Sequence, residues 1–246
     1  MEPVHNEPAL RFEKDGETYL VVADLHIGIE HEIDGKGLSA PTQTRRLAGL
    51  LVSIGEAIGA TRLVIVGDAK HNLPRSSAQE RFEVPRFFET LEMQFEKVDL
   101  VRGNHDGGID YLAPREVAIH ASSGFTIGRY GFCHGHSWPS EKVAESDVLV
   151  LGHSHPTALF KDRLGRRATE RCWLRGKWAK CDRYPKAKGS FILLPAVHPY
   201  CGGTPVNEEG RGILGPLFRN GCLDYERAEI FLLDGTNLGK RKANMV

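Results

Sequence analysis

No run in this 246-residue chain approaches the roughly 18 apolar residues that a spanning helix requires. The opening "MEPVHNEPALRFEKDG" is charged and lacks the apolar core of a secretory leader. Those absences point away from membranes and export, and the chain reads as cytoplasmic. Cysteine is scarce: Cys133, Cys172, Cys181, Cys201 and Cys222 are odd in number and irregularly spaced. Reduced thiols fit that pattern better than a disulfide framework. Three of them with His198 would make a zinc site only at a spacing that matches no compact pattern. Net charge, internal repeats and low-complexity linkers are also missing. With 41% hydrophobic residues, the length suits one large α/β domain over residues 1–246.

The zero net charge conceals an asymmetry. Residues 1–34 carry nine acids against two bases, whereas the segment 161–188, "KDRLGRRATERCWLRGKWAKCDRYPKAK", carries eleven bases against three acids. Trp173, Trp178 and Tyr184 are interleaved with those bases. Cations with aromatic platforms would suit a polyanion such as nucleic acid, while a hairpin that merely solvates the protein has the same composition.

Periodicity organises the rest. "ALRFEKDG" and "TYLVVADLH" read as a strand hairpin, and "RLVIVGD" and "VDLVRGNHD" as further buried strands. Leu47, Leu50, Leu51, Ile54 and Ile58 recur at three- and four-residue spacing, which predicts a helix over 42–60 ending near Gly59. Residues 76–95 are also helical in pattern, with an irregularity expected at Pro85. Strand-like pieces at 116–136, 148–156, 190–200 and 228–235 follow, with a short helix in "SEKVAESD". Two sheets covered by helices are expected.

The chemistry gathers where apolar runs end: "VVADLH", "VIVGD", "LVRGNHD", "GFCHGH" and "LVLGHSH" deliver Asp24, His26, Asp68, Asn104, His105, His134, His136, His153 and His155. Ligands of α/β folds bind outside the carboxyl ends of strands, so these separate segments can build one site. Two carboxylates, an amide and several imidazoles are too many donors for one tetrahedral ion. They suit two ions of intermediate hardness, with manganese the first expectation and iron, zinc or nickel as alternatives. Asp68, alone at its strand end, is the natural bridge between them.

That ordered set of motifs, from Asp24 to His155, resembles the calcineurin-like metallophosphoesterase superfamily. The resemblance implies a four-layer α/β/β/α sandwich with a two-metal centre at the edge of the sheets. It implies Asp24, His26, Asp68 and His155 on one ion, and Asp68, Asn104, His134 and His153 on the other. His105 would contact the scissile phosphate. "GDAKH", "GNHDGG", "LLPAVHPYCGGTPVN" and "LLDGTNLG" further resemble the ICC-like or SbcD-related phosphoesterases. That branch is related to nucleases, although 246 residues leave no room for the capping domain those nucleases add.

One departure matters. Many members carry an acid at the position of His71 in "GDAKH", where it orients the catalytic His, so here either Asp106 or another acid supports His105, or His105 acts as a neutral group. His136 is left over from the two His-x-His pairs and is expected beside the metals or at the phosphate pocket. Arg102 and Lys70, adjacent to the motifs, are candidate phosphate contacts. The expected activity is hydrolysis of phosphate esters by metal-activated water, on a diester and with nucleic acid as one candidate substrate. Two other readings stand beside it: a small-molecule phosphomonoesterase, and a non-catalytic metal-dependent scaffold for nucleic acid.

Overall fold

The computed structural model describes all 246 residues. Six strands form the first sheet in the order β1 (Glu2–Pro3), β2 (Leu10–Lys14), β3 (Glu17–Val22), β4 (Arg62–Ile65), β5 (Lys97–Val101) and β6 (Ala118–His120). From β3 to β6 the neighbours are parallel. That arrangement needs crossovers, which helix α2 (Thr44–Ile58) supplies between β3 and β4 and α3 (Ala78–Glu92) between β4 and β5. A short helix α1 (Ile29–Gly35), not apparent from the sequence pattern, precedes α2.

Both long helices follow from their sequences. Leu47, Leu51 and Ile54 bury one face of α2, and Gly59 closes it in the left-handed conformation at φ 65°. Ser77 and Glu80 form a reciprocal capping box at the start of α3. The helix runs through Pro85 unbroken and buries Val84, Phe87, Phe88 and Leu91.

The second sheet comprises nine strands: β7 (Phe125–Ile127), β8 (Tyr130–Phe132), β9 (Val148–Leu151), β10 (Pro156–Lys161), β11 (Arg167–Lys177), β12 (Ser190–Leu193), β13 (Thr204–Pro205), β14 (Glu229–Leu232) and β15 (Asn237–Lys240). Strands β8, β9 and β12 run parallel. Short helices α4 (Glu141–Ala144) and α5 (Pro216–Arg219) cover its outer side together with loops.

Three apolar clusters define the layers. One lies between the first sheet and α2 and α3, one beneath the outer loops of the second sheet, and one between the sheets, where Val21, Val64, Phe132, Val150 and Trp173 meet. This is the expected α/β/β/α order, with loops supplying much of the last layer.

Two expectations need correction. Cys181 and Cys222 form a disulfide, leaving Cys133, Cys172 and Cys201 free. The bridge between Trp178 and Leu223 and the bond from Ala179 N to Cys222 O bring the two cysteines together, although they lie 41 residues apart. Spacing carries no sign of such a pair, and no donor cluster brings three cysteines together with His198, which removes the three-cysteine zinc alternative.

The segment 161–188 is not one hairpin. Strands β10 and β11 pair from Thr157 with Arg171 to Lys161 with Arg167, so the hairpin turns at 162–166, and residues 178–189 form a separate covering loop. Trp173, Trp178 and Tyr184 are 0%, 8% and 4% exposed, so none offers a face for stacking.

Candidate metal centre

The carboxyl ends of the parallel strands in both sheets point to one place. Asp24 follows β3, Asp68 follows β4, and Asn104 and His105 follow β5. From the other sheet, His134 follows β8, and His153 and His155 follow β9. Backbone bonds stitch the strand ends together, including Asp24 N to Gly67 O, His26 N to Asp68 O and Gly152 N to His134 O.

Close packing leaves no space at two glycines. A Cβ on Gly67 would collide with the His134 ring, and one on Gly103 with the Asp68 carboxylate.

Backbone strain marks the same place. Seven non-glycine residues have positive φ, and five of them are Asp24 (58°), His26 (41°), Asp68 (51°), His153 (76°) and His155 (43°). Each such conformation costs on the order of 1–3 kcal/mol and persists only where the surroundings enforce it. The left-handed conformations thus gather on five of the candidate ligands and single out the same strand ends without reference to their chemistry.

The donors divide into two groups that share one carboxylate. Asp24, His26 and Asp68 present ligand atoms within 4.8 Å of one another, and so do Asp68, His134 and His153. His155 joins the first group, its Nε2 lying 3.2 Å from His26 Nε2 and 3.4 Å from Asp24 Oδ1. Asn104 joins the second through an Oδ1 that lies 3.2 Å from His134 Nε2. Asp24, His26, Asp68 and His134 are buried.

The second nitrogen of several rings is held by the protein. His134 Nδ1 donates to Val66 O at 2.9 Å and His155 Nδ1 to Gly202 O at 3.1 Å. His71 donates through Nε2 to the Glu32 carboxylate at 2.6 Å, which leaves its Nδ1 to accept from His26 Nδ1 at 3.1 Å. Those partners occupy the Nδ1 atoms, so the Nε2 atoms of His26, His134 and His155 are the ones that face carboxylate oxygens and would offer lone pairs to a cation. Such a cluster of nitrogen and oxygen donors fits divalent cations, which displace any proton held there, and ring tethers of this kind fix metal-ligand geometry.

Electrostatics follow from the burial. Burial opposes charge on Asp68, but the His134 ring beside it outweighs that and holds its carboxyl well below the usual range. Burial likewise opposes charge on His134, and Asp68 and Asp24 overcome it, raising its pKa to about 9. Burial lowers His26 to about 3 and His153 to about 4, so neither carries a proton at neutral pH.

The remaining sequence candidates separate. The ring of His105 lies 4.9 Å from that of His26, and its Nδ1 donates to the main-chain carbonyl of His71. The tie that the sequence left without an acid is thus a neutral carbonyl, supplied by the very residue that departs from the family pattern. Asp106 does not reach His105: its carboxylate accepts from Ala69 N, Lys70 N and Gly103 N and clamps two loops together. Burial and the nearby Asp68 raise its pKa to about 6.

His136 lies 5.2 Å ring to ring from His134, and its buried Nδ1 has no protein partner. Arg102 is committed to an ion pair with Asp110, and Lys70 is fully buried with its ammonium on Asn72 O.

Sequence reasoning missed three participants. Glu32 lies on α1 and holds His71 across 39 residues of chain, with no local signal. Gly202 acts only through its carbonyl. His198 could have been found, because it follows an apolar run, "SFILLPAVH", as the other site residues do. It is buried with Nε2 3.5 Å from Glu30 Oε1, and its amide bonds to Asp24 O.

A two-sheet sandwich carrying a nitrogen and oxygen donor centre at its strand ends defines a metal-dependent hydrolase class. A profile of calcineurin-like phosphoesterases matches residues 18–180, and the chain belongs to that family. It is 32% identical over 107 residues to the Phosphodiesterase YfcE of Escherichia coli strain K12, an alignment covering 39% of this chain and 55% of that protein. The chain thus spans about half the length of the curated relatives it matches. Among solved structures, Pseudomonas putida nuclease MPE superposes with a TM-score of 0.54 at 18% identity, covering 94% of this chain and 100% of that one, which bears on the fold.

Proposed function

We propose that the chain is a phosphodiesterase working with two divalent cations, held by Asp24, His26, Asp68 and His155 on one side and by Asp68, Asn104, His134 and His153 on the other. The observation that carries this reading is the pair of donor groups sharing Asp68. Bound there, two cations would neutralise charge on a phosphate and acidify water. The chain's own groups do the rest. Asp68 sets the spacing between the two sides, and its Oδ1 accepts from His105 N at 2.8 Å, which seats His105 at the edge of the centre. With Nδ1 tied to His71 O, the His105 ring presents its other nitrogen for a phosphate oxygen or the departing alkoxide. Half-buried, with an unpartnered Nδ1, His136 suits a neutral contact to the same phosphate.

A polyanionic diester, nucleic acid included, is the substrate class we favour. The support is the exposed cationic hairpin tip that leaves the centre directly after His155. The burial of Trp173, Trp178 and Tyr184 weakens that preference, so a small phosphomonoester remains the second reading.

The test is hydrolysis of bis-p-nitrophenyl phosphate and p-nitrophenyl phosphate with Mn2+ or with EDTA. Wild type should prefer the diester with Mn2+ and lose activity in EDTA. Asp68→Ala should lose on the order of a thousandfold in kcat, the scale of removing one preorganised electrostatic group. Full activity in Asp68→Ala would defeat the two-cation reading, and a monoester preference would transfer it to the second substrate class.

A further inference from the structure

Cys201 stands apart from the other free cysteines. Cys133 and Cys172 are buried in the apolar interior, whereas Cys201 is partly exposed and lies in the loop that follows β12. Its sulfur and ring nitrogens of His26 and His155 lie within 4.8 Å of one another.

The loop around it is built rather than loose. Val197 N bonds to Ala23 O at 3.1 Å, His198 N to Asp24 O at 3.4 Å and Thr204 N to His155 O at 2.9 Å. The Arg171 guanidinium holds the carbonyls of Ala196 and Val197 at 3.3 and 3.2 Å, and Gly202 O receives His155 Nδ1 at 3.1 Å. Four of these bonds run to Asp24, to His155 or to the residue beside Asp24. The sulfur is therefore held in register with one side of the metal centre and not with the other.

We propose that Cys201 is a sulfur ligand of the cation held by Asp24, His26, Asp68 and His155, which makes that position selective for zinc or ferrous iron over manganese. The inference rests on the two-cation reading above. Coordination breaks the S–H bond, forms a sulfur–metal bond and releases one proton to solvent, with no change in oxidation state. A soft thiolate among nitrogen and oxygen donors shifts preference toward softer metals. The second position, with Asn104, His134 and His153 and no sulfur, keeps a harder character, so the two sites should differ in the metal they retain.

Cobalt(II) reports both claims. Wild type stripped of metal and titrated with Co2+ should show visible ligand-field bands together with a near-ultraviolet sulfur-to-cobalt charge-transfer band. Cys201→Ser and Cys201→Ala should keep the visible bands and lose the charge-transfer band. Wild type that binds no cobalt defeats the two-cation reading itself, whereas visible bands without charge transfer overturn the role of Cys201 alone.

A second measurement needs no variant. Burial pushes the Cys201 thiol up, so at alkaline pH iodoacetamide should label Cys201 in the stripped protein and label it far more slowly when Zn2+ is bound, because a metal-bound sulfur is no longer a free nucleophile. Equal labelling rates would overturn the proposal.

Discussion

The metal centre and the basic segment 161–188 both stand out in the sequence, and the structure treats them oppositely. At the centre, residues from separate strand ends converge, and five of them hold left-handed backbone angles to do so. In the basic segment, residues that are contiguous in the chain are dispersed. Trp173 enters the layer between the sheets, Trp178 and Tyr184 enter the outer layer, and the cations of the hairpin tip face solvent. Strand geometry explains the dispersal. Successive side chains point to opposite faces, and β11 is covered on both, so Cys172, Trp173 and Leu174 are all buried although they alternate between two cores. Shared composition along a stretch is thus weaker evidence for a site than convergence of distant residues on one point.

The comparison breaks most visibly if Trp173 serves substrate rather than packing. It is the largest fully buried side chain. Trp173→Ala should cost about 3–5 kcal/mol of stability, the usual cost of removing a buried aromatic. Metal content of the protein that remains folded should not change. Chemical denaturation with the metal content measured alongside would check this; a fully stable variant with weakened substrate binding would restore the stacking role.

A smaller effect tests the centre by pH. In the metal-free chain His134, raised to about 9, carries a proton at neutral pH, and a cation takes that nitrogen only by displacing it. Apparent Mn2+ affinity should therefore rise about tenfold for each pH unit up to about 9 and then level. The linked stability has a definite sign. Because the folded pKa lies above the ordinary 6.5, the protonated His134 stabilises the metal-free chain fully below pH 6.5, and that contribution is lost as pH rises through about 9. Calorimetric titration from pH 6 to 9 reads the affinity; a flat profile would mean that His134 is not a ligand.

How far the sequence was legible follows the same division. The strands, the two long helices and the donors at strand ends could be read because each depends on a local rule: period, cap, or a polar residue closing an apolar run. What could not be read depends on contacts between distant segments. Glu32 on His71, the carbonyl of His71 on His105, the removal of Asp106 to a loop clamp and the Cys181–Cys222 pair all require the fold before they exist. His71 shows the limit well. The sequence identified it as a departure that left His105 without an acid, but the main chain of that same position supplies the support, and no side-chain pattern encodes a carbonyl.

The smallest expected effect belongs to the hairpin tip and decides whether the basic segment keeps any part in function. Arg167 is paired with Glu208, while Lys161, Arg163 and Arg166 are exposed and engage no acid. Changing those three to Gln should alter stability by no more than about 0.5 kcal/mol, as expected of surface positions. Hydrolysis of bis-p-nitrophenyl phosphate should be unaffected, because so small a diester reaches no further than the metal centre. Binding of single-stranded DNA is where a change should register. Each cation that neutralises a phosphate contributes about 0.7 to the slope of log affinity against log salt, so losing three should flatten the slope by about 2. If the slope is unchanged, the tip is only a solvated surface, and the preference for nucleic acid loses the support that burial of the aromatics left to it. If the slope flattens while the small diester is hydrolysed as before, the two regions divide the work, with the strand ends carrying the chemistry and the hairpin holding the polyanion.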